Sequence, residues 1–215
     1  MADLNIQVDQ HDINLIKDDL RHINNGMPTA VIRSINRAVD GVKTDMVAVA
    51  RKTYTVKATA ARKNITVQKA SGGKMTAWTQ SVGKPINLID FKVSPSTVQP
   101  KRKTPITVEV IKGQRKTLSG GFVSVMKSSH KGVFVRPSHV TPNNKGLKPL
   151  SQYEMTKSGK RVRRLGIYEL SGPRIEDLYA RPENQKVLQD GADNRLTAEL
   201  ARQADYIFKQ RNGLL

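Results

Sequence analysis

The sequence predicts an α+β fold: an N-terminal helical hairpin and a C-terminal helix packed on an antiparallel β-sheet or small sandwich. Three observations lead to it. Apolar residues recur at three- and four-residue spacing near both ends of the 215-residue chain. Short β-rich runs bounded by glycine and proline fill the middle, and no repeat period runs through the whole. A hydrophobic content of 37% is enough for a real core, so the chain does not read as a disordered tail.

In chain order, Asp12 can cap a short helix in which Ile13, Ile16, Leu20 and Ile23 form one stripe up to Asn24-Asn25-Gly26. Residues 1–26 thus read as an N-terminal arm, and residues 27–215 as a single α+β domain. Pro28 opens a second helix, since proline suits a first helical turn. Val31, Ile35, Val39 (or Ala38), Val42, Met46 and Val49 (or Ala50) carry its stripe to about Tyr54. It would be about 40 Å long at 1.5 Å per residue. Gly41 inside it costs about 1 kcal/mol against alanine, which packing must offset. Arg33, Arg37, Lys43, Arg51 and Lys52 read as its solvated face.

Thr55 to Asn64 adds a further helical turn or two before a strand at Ile65-Thr66-Val67. Gly72-Gly73 turns the chain, and Thr76 to Val82 and Ile86 to Ile89 read as two more strands broken at Gly83-Lys84-Pro85. Trp78, the only tryptophan, lies in alternating sequence and is expected to anchor the core rather than stack on bases. Ile106 to Arg136 then reads as a β-meander. Its strands are Ile106-Thr107-Val108-Glu109-Val110, the run from Phe122 to Met126, and Val133-Phe134-Val135, with reversals at Gly113, Ser119-Gly120-Gly121 and Gly132. Beyond Leu165 to Leu170, Ile175 to Tyr179 makes one helical turn, and Val187-Leu188 belongs to the final helix or leads into it. Asp193 or Asn194 caps that helix, which carries Leu196, Leu200, Ala204, Ile207 and Phe208 and stops at Asn212-Gly213.

The formal net charge is +19, and its placement along the chain is uneven. Residues 1–50 hold five basic and seven acidic side chains, residues 51–164 hold 25 against three, and residues 165–215 hold seven against eight. The middle of the chain carries the excess. Two long loops edge the meander there, at residues 93–105 and 137–164. The candidate contacts to a partner or to DNA are Lys101, Arg102, Lys103, Arg115, Lys116, Lys160, Arg161, Arg163 and Arg164.

Enzymatic readings find no support. His11, His22, His130 and His139 never fall at metal-binding helical spacing, and there is no cysteine, so no metal or cofactor is expected. Gln114-Arg115-Lys116-Thr117 lacks the glycine that must precede the lysine of a phosphate loop. Ser119-Gly-Gly lacks the leading glycine of a nucleophile elbow. Asp90, Glu109 and Glu154 stand too far apart to argue as an acid–base pair. No apolar run approaches the roughly 20 residues that span a bilayer, and the acidic N-terminus is unlike a secretory signal, so a soluble protein of a reducing cytoplasm is expected, with no membrane partner.

Four segments in order, AVIRSINRAVDGVKTDMVAVARKTYTVK, RKNITVQKAS, GQRKTLSGGFVSVMKSSHKGVFVR and GIYELSGPRIEDLY, resemble the minor tail protein Z family of phages and prophages. The resemblance runs from about Pro28 to the last helix and rests on segment order rather than on a catalytic signature. It implies a structural, tail-completion role at the head-proximal end of the tail, in the virion, after assembly in the host cytoplasm. Looser similarity to other tail-completion proteins implies a homo-oligomeric ring of about six copies. Its neighbours would be the head–tail connector and the tail terminator or tail tube. The resemblance carries over no residue roles, and it does not settle what the N-terminal arm does. The competing reading is a sequence-independent nucleic-acid-binding protein whose basic loops meet DNA phosphates. Against it, the aromatic residues do not alternate with basic ones as a stacking platform requires.

Overall fold

The computed structural model describes residues 3–6, 26–72, 74–81, 83–100, 104–136, 153–155, 161–163 and 166–211. In chain order its elements are β1 (Asp3–Ile6), α1 (Gly26–Thr53), α2 (Ala58–Lys63), β2 (Ile65–Gln68), β3 (Ala77–Ser81), a 3-10 turn (Leu88–Asp90) and β4 (Lys92–Ser94). There follow β5 (Ile106–Glu109), β6 (Arg115–Leu118), β7 (Phe122–Val125), β8 (Lys131–Val135), β9 (Tyr153–Met155), β10 (Arg161–Arg163), β11 (Tyr168–Glu169), α3 (Glu176–Tyr179) and α4 (Pro182–Arg211). Every ladder between these strands is antiparallel, which makes the fold α+β as the sequence predicts. The first predicted helix, and with it the predicted hairpin, lies outside the described residues.

The described residues divide into two compact units, one from residues 1–50, 61–84 and 175–215, the other from 51–60 and 85–174. The first boundary falls inside α1. In the helical unit, α1 buries Val31, Ile35, Ala38, Val39, Val42, Met46 and Ala50, the stripe its spacing predicts. α4 buries Leu188, Ala192, Leu196, Leu200, Ala204 and Ile207, while Phe208 is left exposed. This helix starts at Pro182, about three turns before the predicted caps Asp193 and Asn194, which lie inside it. The first six residues, 182–187, expose every side chain but that of Asn184, so no apolar stripe announced the start. Proline at the first helical position lacks only a donor that a helix start leaves unpaired.

Two glycines bring α1 and α4 together. A Cβ on Gly41 would stand 2.7 Å from Arg195 Cδ, and one on Gly191 3.3 Å from Asp45 Oδ2. The space at Gly41 lets the Arg195 guanidinium lie along α1 and take Asp45 with both nitrogens, Nη2 donating to Oδ1 at 2.9 Å. That pairing raises the Arg195 pKa further, burial opposing it less strongly. Tyr179 of α3 donates its hydroxyl to the Met46 carbonyl at 2.9 Å, and burial pushes its phenol pKa well up. In the sheet ordered β1-β3-β2, the inward face of β3 holds Ala77, Thr79 and Ser81. Trp78 is only half-buried on the other face and does not anchor the core.

The basic unit contains two three-stranded sheets and a two-stranded ladder, ordered β4-β5-β6, β11-β8-β7 and β10-β9. The predicted single meander is therefore split: β5 pairs with β4 and β6, whereas β7 and β8 pair with each other in a separate sheet. β6 has no apolar alternation because it is an edge strand whose Arg115, Lys116 and Thr117 are exposed. Gly113 (φ 79°) and Gly120 (φ 68°) turn the chain on either side of it, a left-handed conformation that suits glycine. Gly132 is not a reversal. It sits inside β8, where a Cβ would meet Phe134 Cζ at 2.8 Å and Glu169 Oε1 at 2.7 Å. The reversal between β7 and β8 comes at Ser129 (φ 61°).

The predicted strand at Ile86 to Ile89 is instead a turn of 3-10 helix at Leu88–Asp90, closed by Asp90 N–H donating to the Asn87 carbonyl at 2.9 Å. After Pro85 this segment makes only an isolated bridge, Asn87 to Ser171, with Leu88 and Gly172 N–H donating to the Leu170 and Ile86 carbonyls. The loops expected at 93–105 and 137–164 are partly strand, since Val93-Ser94 ends β4, and β9 and β10 pair within the second.

Candidate partner-contact surface

The outward face of the β4-β5-β6 sheet is organised by one cross-strand rung. Register places Lys92, Glu109 and Arg115 side by side on the three strands, and alternation turns Val93, Val108 and Ile106 to the core. The Glu109 carboxylate accepts from Gly113 N–H at 3.0 Å, sits 3.0 Å from Lys92 Nζ and 3.8 Å from Arg115 Nη2. The Gly113 N–H, then the Lys92 hydrogen bond, hold its pKa below the ordinary carboxylate value against an opposing effect of burial. The next rung, Ser94, Thr107 and Thr117, carries hydroxyls only.

Residues 53–55 and 109–112 tie the end of α1 to this sheet. Thr55 N–H donates to the Val110 carbonyl at 2.9 Å, Lys112 N–H to the Thr53 carbonyl at 3.1 Å, and the Thr55 hydroxyl to the Glu109 carbonyl. In the second sheet, Phe122 and Phe134 pack with centroids 6.1 Å apart, and the Arg136 guanidinium lies 5.8 Å from the Phe122 ring centre. His130 Nε2 stands 2.6 Å from Glu169 Oε1 across the same sheet.

These contacts, with the Lys57–Asp90 pair, absorb the acids of this unit whose side chains are described. Its segments, 51–60 and 85–174, hold 21 basic and four acidic side chains, a net of +17, and those of the helical unit hold 16 and 14. Asp90 is 3.6 Å from Lys57, Glu109 is held by Lys92 and Arg115, and Glu169 by His130; the side chain of Glu154 is outside the described residues. Lys112, Lys116 and Lys131 are exposed and have no acid partner among the described residues.

Of the residues singled out from sequence, Arg115 and Lys116 lie on the exposed edge strand β6, and Arg115 leans on Glu109. Arg161 and Arg163 are on β10, in register with Met155 and Tyr153 of β9. Lys101, Arg102, Lys103, Lys160 and Arg164 lie outside the described residues. Sequence reading passed over Lys92, an isolated lysine with no motif around it, while Lys112 and Lys131 stand out in sequence only as part of the charge that edges the meander and not as candidates; strand register alone groups Lys92 with Arg115. Among the described residues no three His, Asp or Glu side chains gather as a metal site would require, and no helix is long and apolar enough to cross a membrane.

A mixed α+β core whose basic unit keeps exposed lysines without acid partners among the described residues suits a structural docking protein. Comparison with known families decides the class: the model of prophage minor tail protein Z (GPZ) matches residues 14–209. The chain belongs to that family. It is a phage minor tail protein, a structural component located in the virion tail, where it interacts with other tail components. The match takes in both units and all of the rung residues described above. No curated protein and no solved structure matches the chain.

Proposed function

We propose that this minor tail protein completes the head-proximal end of the tail, in the neck, and acts by ring assembly and docking rather than by catalysis. The observation that carries the reading is the +17 confined to residues 51–60 and 85–174, where the described acids are already taken by internal partners. Charge left over in this way speeds encounter and fixes orientation against acidic surfaces more than it adds affinity. A homo-oligomeric, hexameric ring assembled in the host cytoplasm would repeat the basic face around the channel. The acidic surfaces would belong to the head–tail connector and the tail terminator or tail tube, and the loops at 93–105 and 137–164 would reach them or the channel DNA.

The test is a phage carrying Lys101, Arg102, Lys103, Arg161, Arg163 and Arg164 all changed to glutamine. Heads and tails that fail to join, with infectivity lost, are expected; normal particles at normal titre would overturn the reading. The same charge also suits sequence-independent nucleic-acid binding. That alternative predicts duplex binding by the isolated protein that falls about 10³-fold or more between about 50 and 200 mM salt.

A further inference from the structure

A groove of about 580 Å3 opens in the helical unit, and none of the candidate partner contacts lines it. Arg33 and Arg37 of α1, Lys69 after β2, and Arg202, Gln203 and Tyr206 of α4 line it. Asn36 fixes the geometry: its amide donates to the Ala70 carbonyl at 3.1 Å and accepts from Ala70 N–H at 2.8 Å, which clamps the chain bearing Lys69 against α1.

Four cations face two acids here. Lys69 Nζ lies 2.8 Å from Asp40 Oδ2, and Glu199 takes both Arg37 Nη1 at 3.4 Å and Arg202 Nε at 3.2 Å. Arg33 has no acid partner among the described residues, so its guanidinium fork is open. Gln203 is the more telling residue. It is 5% exposed, yet its amide has no hydrogen-bond partner among the described residues and borders the groove. Among the described residues the fully enclosed side-chain groups without a partner are the Thr79 and Ser81 hydroxyls, so solvent reaches the Gln203 amide and a ligand in the groove can take that solvent's place.

We propose that this groove binds a phosphate group. Two positive charges remain after the internal pairs are counted, which matches a dianion. Donors come from α1, the β2–β3 connection and α4, three directions that a tetrahedral anion can satisfy together. A planar carboxylate is filled by one guanidinium fork and would leave the Gln203 amide empty. The phosphate can be free, as the dianion, or belong to a nucleic-acid backbone, where each phosphodiester carries one negative charge and two neighbouring ones would meet the two cations.

Titration of the full-length protein with inorganic phosphate at constant ionic strength, read at the Gln203 side-chain amide by 1H–15N NMR, tests this. Saturable shifts are expected, with binding about tenfold weaker in Arg33→Gln, an exposed helix position that does not threaten the fold. Gln203→Met should weaken binding by a similar factor, measured by calorimetry since the reporting amide is gone. A short DNA duplex that displaces phosphate assigns the backbone phosphodiester as source, and one that does not assigns free phosphate; either supports the site. No saturable response, an affinity unchanged in both variants, or acetate competing as well as phosphate would overturn it.

Discussion

In the helical unit 16 basic side chains meet 14 acidic ones, and in the basic unit 21 meet four, although both are built on ordinary apolar cores. The pairing differs as much as the totals. The helical unit spends its charges on itself, as Arg195–Asp45, Lys69–Asp40, Arg202–Glu199 and Lys209–Asp205. The basic unit ties up its described acids in the same way, through Lys57, Lys92, Arg115 and His130, and still presents exposed lysines on β6, β8 and the turn before β6. Apart from the charges left over at the groove, charge therefore serves the fold in the helical unit and is left for something outside the fold in the basic one. Removing charge should then hurt stability in the first and assembly in the second.

The largest stability effect expected from a charge is at Asp45. Asp45→Asn breaks the two-pronged pair with Arg195, whose side chains are 28% and 41% exposed, so solvent screening limits the loss to about 1 kcal/mol. Urea denaturation measures it. Gly41 gives a sharper version, because the cavity it leaves is filled by Arg195. Gly41→Ala should gain less than the roughly 1 kcal/mol of helix propensity in the natural chain and the full amount in an Arg195→Ala background. Equal gains in both backgrounds would mean that the glycine is not making room for the arginine.

A smaller effect is expected from Glu199. Burial raises its pKa, but the Arg202 hydrogen bond and the charges of Arg202 and Arg37 outweigh it, so the net direction is down from 4.5. A carboxyl whose pKa is depressed by folding contributes stability above the unfolded value and loses it as pH falls through the folded one. Stability should therefore fall below about pH 4.5, and Glu199→Gln should flatten that part of the profile while costing a few tenths of a kcal/mol at neutral pH. A profile identical to that of the natural protein would remove Glu199 from the acid sensitivity.

The stripes of α1 and α4 were legible because Ile35, Val42, Met46, Leu196 and Leu200 repeat at helical spacing and pack on that account. The start of α4 was not, because residues 182–187 are largely solvated and have no stripe to show. β3 misled for a related reason: small Ala77, Thr79 and Ser81 face inward where the bulkier Trp78 invited the opposite register. β6 was invisible since an edge strand needs no apolar face, and the rung it joins exists only once Glu109 and Arg115 are paired across strands. The groove drew on three separate segments, so no spacing in Arg33 and Arg37 alone could separate it from a solvated helix face.

The smallest stability effect is expected where the comparison is most exposed to failure. Lys112, Lys116 and Lys131 have no acid partner among the described residues, so changing all three to glutamine removes no ion pair among those residues. Each substitution should change the free energy of unfolding by no more than about 0.5 kcal/mol. Since the unit is strongly positive, relief of self-repulsion pushes the sign toward stabilisation. Salt separates this from indifference. Screening lengths shrink from about 30 Å at 0.01 M to about 10 Å at 0.1 M, so added salt should stabilise the natural protein more than the triple variant. A triple variant markedly less stable than the natural protein would show that these lysines are paired within the fold after all, and the division of charge between the two units would not stand.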